Sequence, residues 1–328
     1  MSKGNPVLVI GAGSIGERHI RNLWMLGCRN IIVYRQRNLP FRDIGEAKVK
    51  VLTNWAKVIR ENCVAAIVCT PTAQHYQQVI DCVKEGMHVM VEKPLWHKLF
   101  NKESLLEKCE QQNVLLQVGY MLRYHPLLKK IKQIIEDRRF GNLLSIQTYW
   151  GEYLPNWHSW EDYKQSYAAN EMSGGGAALT LSHDIDLVQW LVGASLQDYQ
   201  SMHSYASLLG TDTDNAFDVN LRYDNNITAH VHVNFFQKVA QRCYKLVFDD
   251  AVIDIDYYTS SMQIKTEDIV LKEALTDFDR NDLFVDELAD FFKRIEQGDF
   301  AAFTQRQIND SYNIIKICTN VSATCISK

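Results

Sequence analysis

Apolar runs and helical patterns alternate along the N-terminal third of the chain. The runs are bounded by turn residues, which is typical of strands buried on both faces of a sheet. They are Pro6–Ile10, Asn30–Tyr34, Val64–Cys69, His88–Glu92 and Val114–Val118. Helical patterns between them run to Leu26, from His75 to Glu85 and from Lys102 to Gln112. This alternation predicts a parallel sheet with right-handed crossovers.

The pattern changes after residue 122. A helix is expected from Arg123 to about Asp137, and runs with period-two alternation follow it. These predicted strands are Leu143–Trp150, Phe217–Tyr223, Asn226–Phe236 and Cys243–Asp249, with a hairpin turn at Asp224–Asn226. Helical patterns at 183–192, 283–297 and 304–322 complete the chain. We therefore predict an α/β protein with two domains, 1–122 and 123–328.

Composition narrows the class of protein. With 328 residues, 46% of them hydrophobic and 23% charged, the chain has the composition of an ordinary globular protein of two domains. A net charge of -4 argues against nucleic acid as the partner, and no apolar run reaches membrane-spanning length. The 8 cysteines form no Cys-x-x-Cys pair, and the N-terminus does not have the pattern of a signal peptide. We expect a cytoplasmic protein with reduced thiols.

A glycine-rich loop lies between the first predicted strand and its helix. Residues 11–16 fit the pattern G-x-G-x-x-G in the strand–loop–helix context that a dinucleotide site requires. The first glycine permits the turn, the second lets the backbone approach a pyrophosphate, and the third allows close helix packing. The N–H groups at the helix N-terminus then face the phosphates. The predicted cofactor contacts here are Gly11, Gly13, Ser14, Ile15 and Gly16.

The end of the second strand favours NADP over NAD. A site selective for NAD places Asp or Glu there to bind the ribose 2′-hydroxyl, whereas this chain has Tyr34-Arg35-Gln36-Arg37. Two guanidinium groups suit a 2′-phosphate, because they are planar and permanently charged donors. Arg35 and Arg37 are therefore candidate NADP contacts. A solvated basic loop is the simpler explanation, and NAD is the alternative cofactor.

Two further strand ends carry candidate residues. Thr70-Pro71 follows the predicted strand 64–69, and the nearby His75 could contact a cofactor or cap the next helix. Glu92-Lys93-Pro94 ends the following strand, which puts one ammonium at the carboxyl edge of the sheet, where open α/β sheets bind ligands. Pro94 restricts the backbone of Lys93 to extended geometry. Taken alone, Lys93 could also be a surface lysine in a turn.

More motifs follow in the second half. Gly119-Tyr120 precedes Arg123-Tyr124-His125-Pro126, and Gly174-Gly175-Gly176 precedes His183 and Asp186. Together with the earlier motifs, in this order, the chain resembles the glucose-fructose oxidoreductase, inositol dehydrogenase and rhizopine-catabolism (Gfo/Idh/MocA) oxidoreductase family. The resemblance covers most of the chain. It implies an N-terminal Rossmann domain with a parallel sheet and a C-terminal α/β domain with a large, mostly antiparallel open sheet.

The resemblance also implies roles for individual residues. It places Lys93, as the acid/base, and His183 beside the nicotinamide, and it adds Thr70, Pro71, His75 and Glu92 to the cofactor contacts. Asp186 could orient the His183 imidazole or serve as a helix cap, and Ser182 is expected to cap the same helix. Family members often carry an aspartate three or four residues before the histidine. This chain has Thr180 and Leu179 there, so a carboxylate that assists proton transfer is not expected at that position.

Aromatic residues are dense between Tyr149 and Tyr167. Their faces and interleaved polar hydrogens suit a sugar ring or a base. A patch buried in the core or against a partner subunit explains them equally well. The candidate substrate contacts are Tyr120, Arg123, Tyr153, His158, Trp160, Tyr163 and Asp186.

These observations predict a function and partners. We expect hydride transfer between a nicotinamide cofactor, with NADP favoured, and a carbinol or ketone of a sugar, inositol or nucleotide sugar. The alternative is a non-catalytic regulatory protein that senses NADP, although Lys93 and His183 argue against it. No metal is predicted, because His230 and His232 lack an evident third ligand. The polar row that these two histidines form with Thr228 and Asn234 instead predicts a homodimer or homotetramer through the C-terminal sheet, with no membrane or nucleic-acid partner.

Overall fold

A computed structural model of the chain describes residues 4–36, 40–45, 48–157, 162–205 and 207–319. The strands are β1 (Val7–Ile10), β2 (Ile31–Tyr34), β3 (Lys50–Leu52), β4 (Ala65–Val68), β5 (His88–Glu92), β6 (Leu116–Gly119), β7 (Leu143–Tyr153), β8 (Leu196–Ser204), β9 (Ala216–Tyr223), β10 (Thr228–Asn234), β11 (Phe236–Phe248), β12 (Val252–Asp256), β13 (Ser261–Lys265) and β14 (Val270–Ala274). The α-helices are α1 (Ser14–Met25), α2 (Trp55–Ile59), α3 (Thr72–Lys84), α4 (Lys102–Gln112), α5 (Pro126–Glu136), α6 (Ala177–Thr180), α7 (His183–Val192), α8 (Arg280–Gln297) and α9 (Ala301–Thr319).

The sequence patterns predicted most of the longer elements, with bounds that differ by a few residues. The hairpin turn is confirmed, because Asn226 adopts a left-handed conformation between the antiparallel strands β9 and β10. The patterns did not predict β3 and α2, which are too short to show a period. The chain divides into two compact units. The first unit contains residues 1–121 and 280–312, and the second contains 122–279 and 313–328.

The first unit is built on a parallel sheet. Six strands of the described chain lie in the order β3-β2-β1-β4-β5-β6, and each pairs in parallel with its neighbours. Every residue of β1 and β4 is buried, as expected when helices cover both faces of the sheet. The strand that follows β1 in the chain, β2, pairs with one edge of β1, and β4 pairs with its other edge. The carboxyl ends of β1 and β4 therefore form the switch point where such sheets bind ligands.

Two side chains of α9 bond to the edge strand of this sheet. The hydroxyl of Thr304 accepts a hydrogen bond from the backbone N–H of Leu116 (3.2 Å), and the side-chain oxygen of Gln307 accepts one from Val118 (2.9 Å). These bonds satisfy backbone donors of β6 that have no neighbouring strand, and they block further strand pairing at that edge.

The second unit is built on a mostly antiparallel sheet, as predicted. Its strands lie in the order β14-β13-β12-β11-β7-β10-β9-β8, and only the β7–β10 pair is parallel among those described. The alternation of buried and exposed residues along β7, β9 and β12 gives the sheet one apolar and one polar face. The helices α6 and α7 pack against β7, β9 and β10.

The polar face, which we call the outer face, is crossed by rows of paired residues. One row runs through Gln200, Asn220, His230, Gln147, Lys245, Asp254, Gln263 and Lys272. Most of its residues are uncharged, and Asp254 lies between Lys245 and Gln263, so the row is polar without a strong charge of one sign. None of the helices in the described ranges combines enough length and apolar character to cross a membrane.

Candidate active site

The glycine-rich loop joins β1 to α1, as predicted. An ideal Cβ at Gly16 would lie 2.2 Å from the carbonyl oxygen of Gly11, so only glycine allows this close approach of helix and loop. Gly13 is the N-cap of α1 and makes no side-chain cap bond. An ideal Cβ at Gly13 would meet no atom within 4 Å, so open space lies beside the helix N-terminus. A helix N-terminus carries unpaired N–H groups, which can bind an anion such as a pyrophosphate.

Arg35 directly follows β2 and is buried. Its guanidinium carbon lies 4.3 Å from the centre of the Phe41 ring, a cation–π contact, and the backbone N–H of Arg35 donates to the Leu52 carbonyl (3.1 Å). The segment that carries Phe41 is held against α1 by Glu17, whose carboxylate accepts hydrogen bonds from the backbone N–H groups of Arg42 and Asp43. The other predicted 2′-phosphate contact, Arg37, lies outside the described residues.

The ends of β4 and β5 bring Thr70, Pro71, Glu92 and Lys93 to one edge of the first sheet. The His75 ring is 1% exposed and lies between the two turns. Its Nδ1 is 2.8 Å from the carbonyl oxygen of Pro94, and its Nε2 is 2.7 Å from the carbonyl oxygen of Thr70. The predicted capping role of His75 is wrong, because α3 starts at Thr72 and its N-cap is Pro71. A direct contact of His75 with a cofactor remains a prediction.

The residue before Lys93, Glu92, pairs with the buried His19. The Nε2 atom of His19 is 2.8 Å from Oε1 of Glu92. Burial acts to raise the pKa of the Glu92 carboxyl, but the hydrogen bond and charge of His19 and the charges of Lys93 and His75 outweigh it. The pKa of Glu92 is therefore lowered, and the carboxylate stays charged beside Lys93. The peptide bond between Lys93 and Pro94 is cis.

In the second unit, the glycine run places α6 and then α7, which begins at His183. Gly176 has φ +102°, and an ideal Cβ there would lie 2.0 Å from Oδ1 of Asp214, so glycine is required. Asp214 holds the start of α6, because its carbonyl accepts from the N–H of Ala177 (3.0 Å) and its Oδ2 from the N–H of Ala178 (2.9 Å). Ser182 is the N-cap residue of α7, as predicted, but its side chain makes no cap hydrogen bond.

Asp186 forms a two-point ion pair with Arg123. Its oxygens accept hydrogen bonds from Nε (2.9 Å) and Nη2 (2.5 Å) of the guanidinium. Bidentate pairs of this kind fix both partners. Two of the predicted substrate residues are thus brought together, while the idea that Asp186 orients His183 stays a prediction.

A second ion pair, between Asp184 and Arg242, is fully buried beneath the same helix. Oδ1 of Asp184 accepts from Nε of Arg242 (3.1 Å) and makes a short contact with Nη2. The guanidinium lies 3.7 Å from the centre of the Trp150 ring, and that ring lies 6.1 Å from the His183 ring. Burial acts to lower the pKa of Arg242, but the attraction of Asp184 raises it. Burial raises the pKa of Asp184, an effect that the charge and hydrogen bonds of Arg242 oppose. The pair connects the sheet to the first turn of α7.

The aromatic segment is only partly described. The hydroxyl of Tyr163 donates to the Leu209 carbonyl (2.9 Å), and Lys238 lies 5.7 Å from the Tyr153 ring. The predicted contacts His158 and Trp160 lie outside the described residues. Tyr120 is buried just after β6. The proposed substrate roles of these side chains therefore remain predictions.

The polar row on β10 is bonded to its neighbours. His232 contacts Asp218 through Nδ1 (2.7 Å) and the amide of Asn234 through Nε2 (3.1 Å), and its ring stacks on Tyr149. Asn234 is fully buried, so it does not face solvent or a partner as predicted. Within the described ranges, no three His, Cys, Asp or Glu side chains are grouped as metal ligands require.

Sequence reasoning missed His19, Asp214 and Arg242. Only Arg242 could have been found from the sequence. It shares an alternating pattern with the apolar Leu246 and Phe248 on β11, so its charged side chain is expected on the buried face. Such a position predicts a buried ion pair. His19 and Asp214 reach their partners through tertiary contacts that leave no local pattern.

The folds and these sites define a class of two-unit protein, in which a dinucleotide-binding sheet is followed by an open antiparallel sheet. Residues 6–120 match the model of an oxidoreductase family with an NAD-binding Rossmann fold, and residues 128–254 match the Gfo/Idh/MocA C-terminal domain. The chain therefore belongs to the Gfo/Idh/MocA oxidoreductase family, which confirms the resemblance seen in its motifs.

Curated relatives match part of the chain. An uncharacterized oxidoreductase, YrbE of Bacillus subtilis, is 27% identical over 60% of this chain and 57% of its own length. Myo-inositol 2-dehydrogenase of Thermotoga maritima is 28% identical over 58% of this chain and 55% of its own length. The chain thus spans little more than half the length of these curated relatives.

Solved structures match over nearly the whole chain. A levoglucosan dehydrogenase in complex with NADH has a TM-score of 0.80 at 17% identity, covering 96% of this chain and 95% of that one. Myo-inositol 2-dehydrogenase from Lactobacillus plantarum has a TM-score of 0.77 at 21% identity, with 96% and 95% covered. At these identities the likeness shows the fold alone.

Proposed function

We propose that this protein is an NAD(P)-dependent oxidoreductase that transfers hydride between a nicotinamide dinucleotide and a CH–OH group of a sugar, inositol or nucleotide sugar. One observation carries the proposal. The glycine loop after β1, the Thr70–Pro71 turn after β4 and Lys93 after β5 follow neighbouring strands at the ligand-binding edge of one parallel sheet. The inositol dehydrogenases among the relatives support the substrate class.

The residues of this edge fit a dinucleotide. The open space beside Gly13 and the exposed N–H groups of α1 suit a pyrophosphate. A bound nicotinamide dinucleotide supplies the hydride acceptor or donor. The chain itself has to bind it, orient the substrate and handle one proton.

Lys93 is the proposed proton acceptor and donor. When the substrate is oxidised, its hydroxyl proton passes to Nζ of Lys93, and when a ketone is reduced the ammonium returns that proton. An unperturbed lysine titrates near ~10.4, so efficient proton exchange at neutral pH requires a lower pKa in the complex with the dinucleotide. His183 is proposed to hydrogen-bond the same oxygen. The joint role of Lys93 and His183 follows from the family resemblance.

Arg123 and Asp186 are proposed to bind further hydroxyl groups of the substrate, together with Tyr120, Tyr153 and Tyr163. The bidentate pair holds the Arg123 guanidinium in one fixed arrangement; the Arg123 side chain is 14% exposed, and the Asp186 carboxylate is buried. The guanidinium can donate hydrogen bonds to the hydroxyl groups of a polyhydroxylated ring. This pairing supports a polyhydroxylated substrate, and a substrate screen identifies the particular sugar or inositol.

NADP is the proposed cofactor, with NAD as the alternative. The chain has no acidic residue at the end of β2, where Tyr34 is followed by Arg35, and the Arg35 guanidinium is held in place by stacking on Phe41. Titration of NADPH and NADH by fluorescence tests this preference. We expect tighter binding of NADPH and a narrowed preference in Arg35→Asp. Equal or tighter binding of NADH by the unaltered protein would contradict the proposal.

A homodimer or homotetramer is proposed to form through the outer face of the second sheet. The face is broad and of mixed charge, so two copies related by a two-fold axis can meet on it without strong repulsion between like charges. A cytoplasmic location is proposed as well. The cysteines of the described ranges are free, and most are buried, as expected in a reducing compartment.

A substrate screen followed by mutation tests the catalytic proposal. Sugars, inositols and nucleotide sugars are screened for a change in NADPH absorbance. With the substrate found, Lys93→Ala should lower turnover at least ~100-fold, with far less change in dinucleotide affinity. The loss in His183→Ala should combine with it non-additively, because both groups act on one oxygen. Near-normal turnover in Lys93→Ala would exclude its acid/base role, and a screen without turnover would favour the NADP-sensing alternative.

A further inference from the structure

His75 connects the two turns that carry the candidate cofactor and acid/base residues. It lies in the first turns of α3, and its ring is buried. The carbonyl oxygen of Thr70 lies 2.7 Å from one ring nitrogen, and that of Pro94 lies 2.8 Å from the other. These carbonyl groups belong to the turns after β4 and β5, which are neighbouring strands. One side chain therefore spans the ends of both strands.

The imidazole is well suited to these turns, because each contains a proline. Pro71 and Pro94 have no backbone N–H, so neither can donate a hydrogen bond that would hold its turn. The carbonyl groups of Thr70 and Pro94 remain as acceptors. A neutral imidazole has one N–H and can donate to one of the two, whereas an imidazolium donates to both. In both states the ring fills the space between the turns.

The charges around His75 are also defined. The pKa of His75 is lowered, mainly by burial and to a smaller extent by the charge of Lys93. The two carbonyl contacts and the charge of Glu92 act in the opposite direction. Burial, the charge of Lys98 and the charge of His75 lower the pKa of His97. Glu92 is hydrogen-bonded to His19. His75 therefore lies within a cluster of charged and titratable groups that contains Lys93. A change in the ring alters the surroundings of the lysine as well as the backbone that carries it.

We propose that His75 is a positioning residue for Lys93, which holds the backbone of the Lys93–Pro94 turn against the Thr70–Pro71 turn. The carbonyl that it binds is one residue beyond Lys93, so the contact determines the direction in which the lysine side chain leaves β5. The contact with Thr70 fixes the same turn relative to the cofactor edge of the sheet. The expected effect of His75 on turnover rests on the proposed role of Lys93. The contacts of His75 with the two turns do not depend on that role.

Three variants test the proposal. His75→Phe keeps an aromatic ring between the turns and removes both ring nitrogens, so no side-chain donor remains for either carbonyl oxygen. His75→Gln keeps an N–H donor for one of the two carbonyl oxygens, so it should restore part of what His75→Phe loses. The matched control is His88→Phe. His88 begins the same strand β5, and its Nδ1 accepts a hydrogen bond from Leu115 (3.0 Å) at the end of the strand remote from Lys93.

The first measurement does not depend on activity. Lysines of the full chain are ¹³C-methylated, and the NMR signal of Lys93 is assigned by its absence from Lys93→Arg. In His75→Phe this signal should move, with a titration midpoint shifted by at least about half a pH unit. His75→Gln should lie between His75→Phe and the unaltered protein, and His88→Phe should leave the Lys93 signal in place. An unchanged Lys93 signal in both folded His75 variants would overturn the proposal.

The second measurement separates turnover from binding. Loss of alignment predicts a fall in kcat of about 10-fold to 100-fold in His75→Phe, because small displacements of a reacting group are costly. The dissociation constant of the dinucleotide should change by a smaller factor. If His75→Phe does not fold, His75→Gln alone decides the outcome. A shifted Lys93 signal in a protein that turns over no substrate would support the positioning role and contradict the proposed function.

Discussion

The two sheets of this protein place their chemistry in different positions. The sheet of the first unit is parallel, and β1 and β4 are buried at every residue, so only the strand ends remain for a ligand. The sheet of the second unit has two unlike faces. Its inner face holds the Asp184–Arg242 pair beneath the helix that carries His183, and its outer face presents polar rows.

This difference shows how a sheet's connections govern its uses. Parallel strands need crossover helices, which cover both faces and bring the carboxyl ends to one edge. Antiparallel strands need only turns, so one face can remain open and polar. The first sheet therefore carries its candidate residues in the turns that follow its strands. The second can carry buried ionic groups on one face and a proposed contact with another copy on the other.

The largest expected effect concerns the inner face. Arg242→Leu should lower the free energy of unfolding by about 3–5 kcal/mol, because it leaves Asp184 charged and buried without its partner. Arg222→Leu is the matched control, since Arg222 lies exposed on the outer face and its contact with Asp198 is 3.6 Å at the surface. We expect that control to change stability by no more than about 0.5 kcal/mol. Urea unfolding measures both, and equal losses would contradict the distinction between the faces.

Substitutions at adjacent positions test the burial of each sheet. Ile31 and Ile32 on β2 point to opposite faces, and both are buried. Ile31→Ala and Ile32→Ala should each cost about 2–5 kcal/mol. On β7, Ile146→Ala should cost the same, whereas Gln147→Ala on the outer face should change the stability of the dilute, monomeric protein by less than about 0.5 kcal/mol. A tolerated alanine at either position of β2 would show that one face of the first sheet is open.

Acid should weaken the second unit through His125. Neither of its ring nitrogens has a hydrogen-bond partner among the described residues, and burial, followed by the charge of Arg242, lowers its pKa to about 4. The unfolded chain therefore binds this proton at a higher pH than the folded one does. Stability should fall as pH drops from ~6.5 towards ~4, by up to about 3 kcal/mol.

His125→Phe removes this protonation and keeps the contacts of the ring with Tyr257 and Phe278. We expect a flatter dependence of unfolding free energy on pH in this variant over the same range. Denaturant titrations at a series of pH values provide the measurement. The same slope in the variant and the unaltered protein would exclude His125 as the cause.

The smallest expected effect concerns assembly through the outer face. Gln147 pairs with Lys245 and His230 near the middle of that face. Gln147→Arg adds a like charge there and should raise the dissociation constant of the oligomer at least about tenfold, which corresponds to ~1.4 kcal/mol. Gln111→Arg, on the exposed surface of α4, is the control. Light scattering across a dilution series measures the dissociation constant of both variants. An unchanged constant in Gln147→Arg would exclude the outer face as the interface.

The sequence alone determined the elements whose signal is local. Buried parallel strands show as apolar runs, the outer and inner faces of β10 show as alternating polar and apolar residues, and the glycine loop has a motif of fixed spacing. The candidates Gly13, Lys93 and His183 followed from such motifs and from the family that they resemble. These features are readable because each depends on residues close together in the chain.

Tertiary structure alone decided the pairings between distant residues. His19 meets Glu92, Asp214 holds the start of α6, and Arg242 reaches Asp184. It also placed residues 280–312 in the first unit, and it placed the His75 ring between the carbonyl groups of Thr70 and Pro94. No local pattern encodes these contacts. A buried polar group takes as its partner whichever group the packing brings within hydrogen-bond distance, and packing is a property of the folded chain.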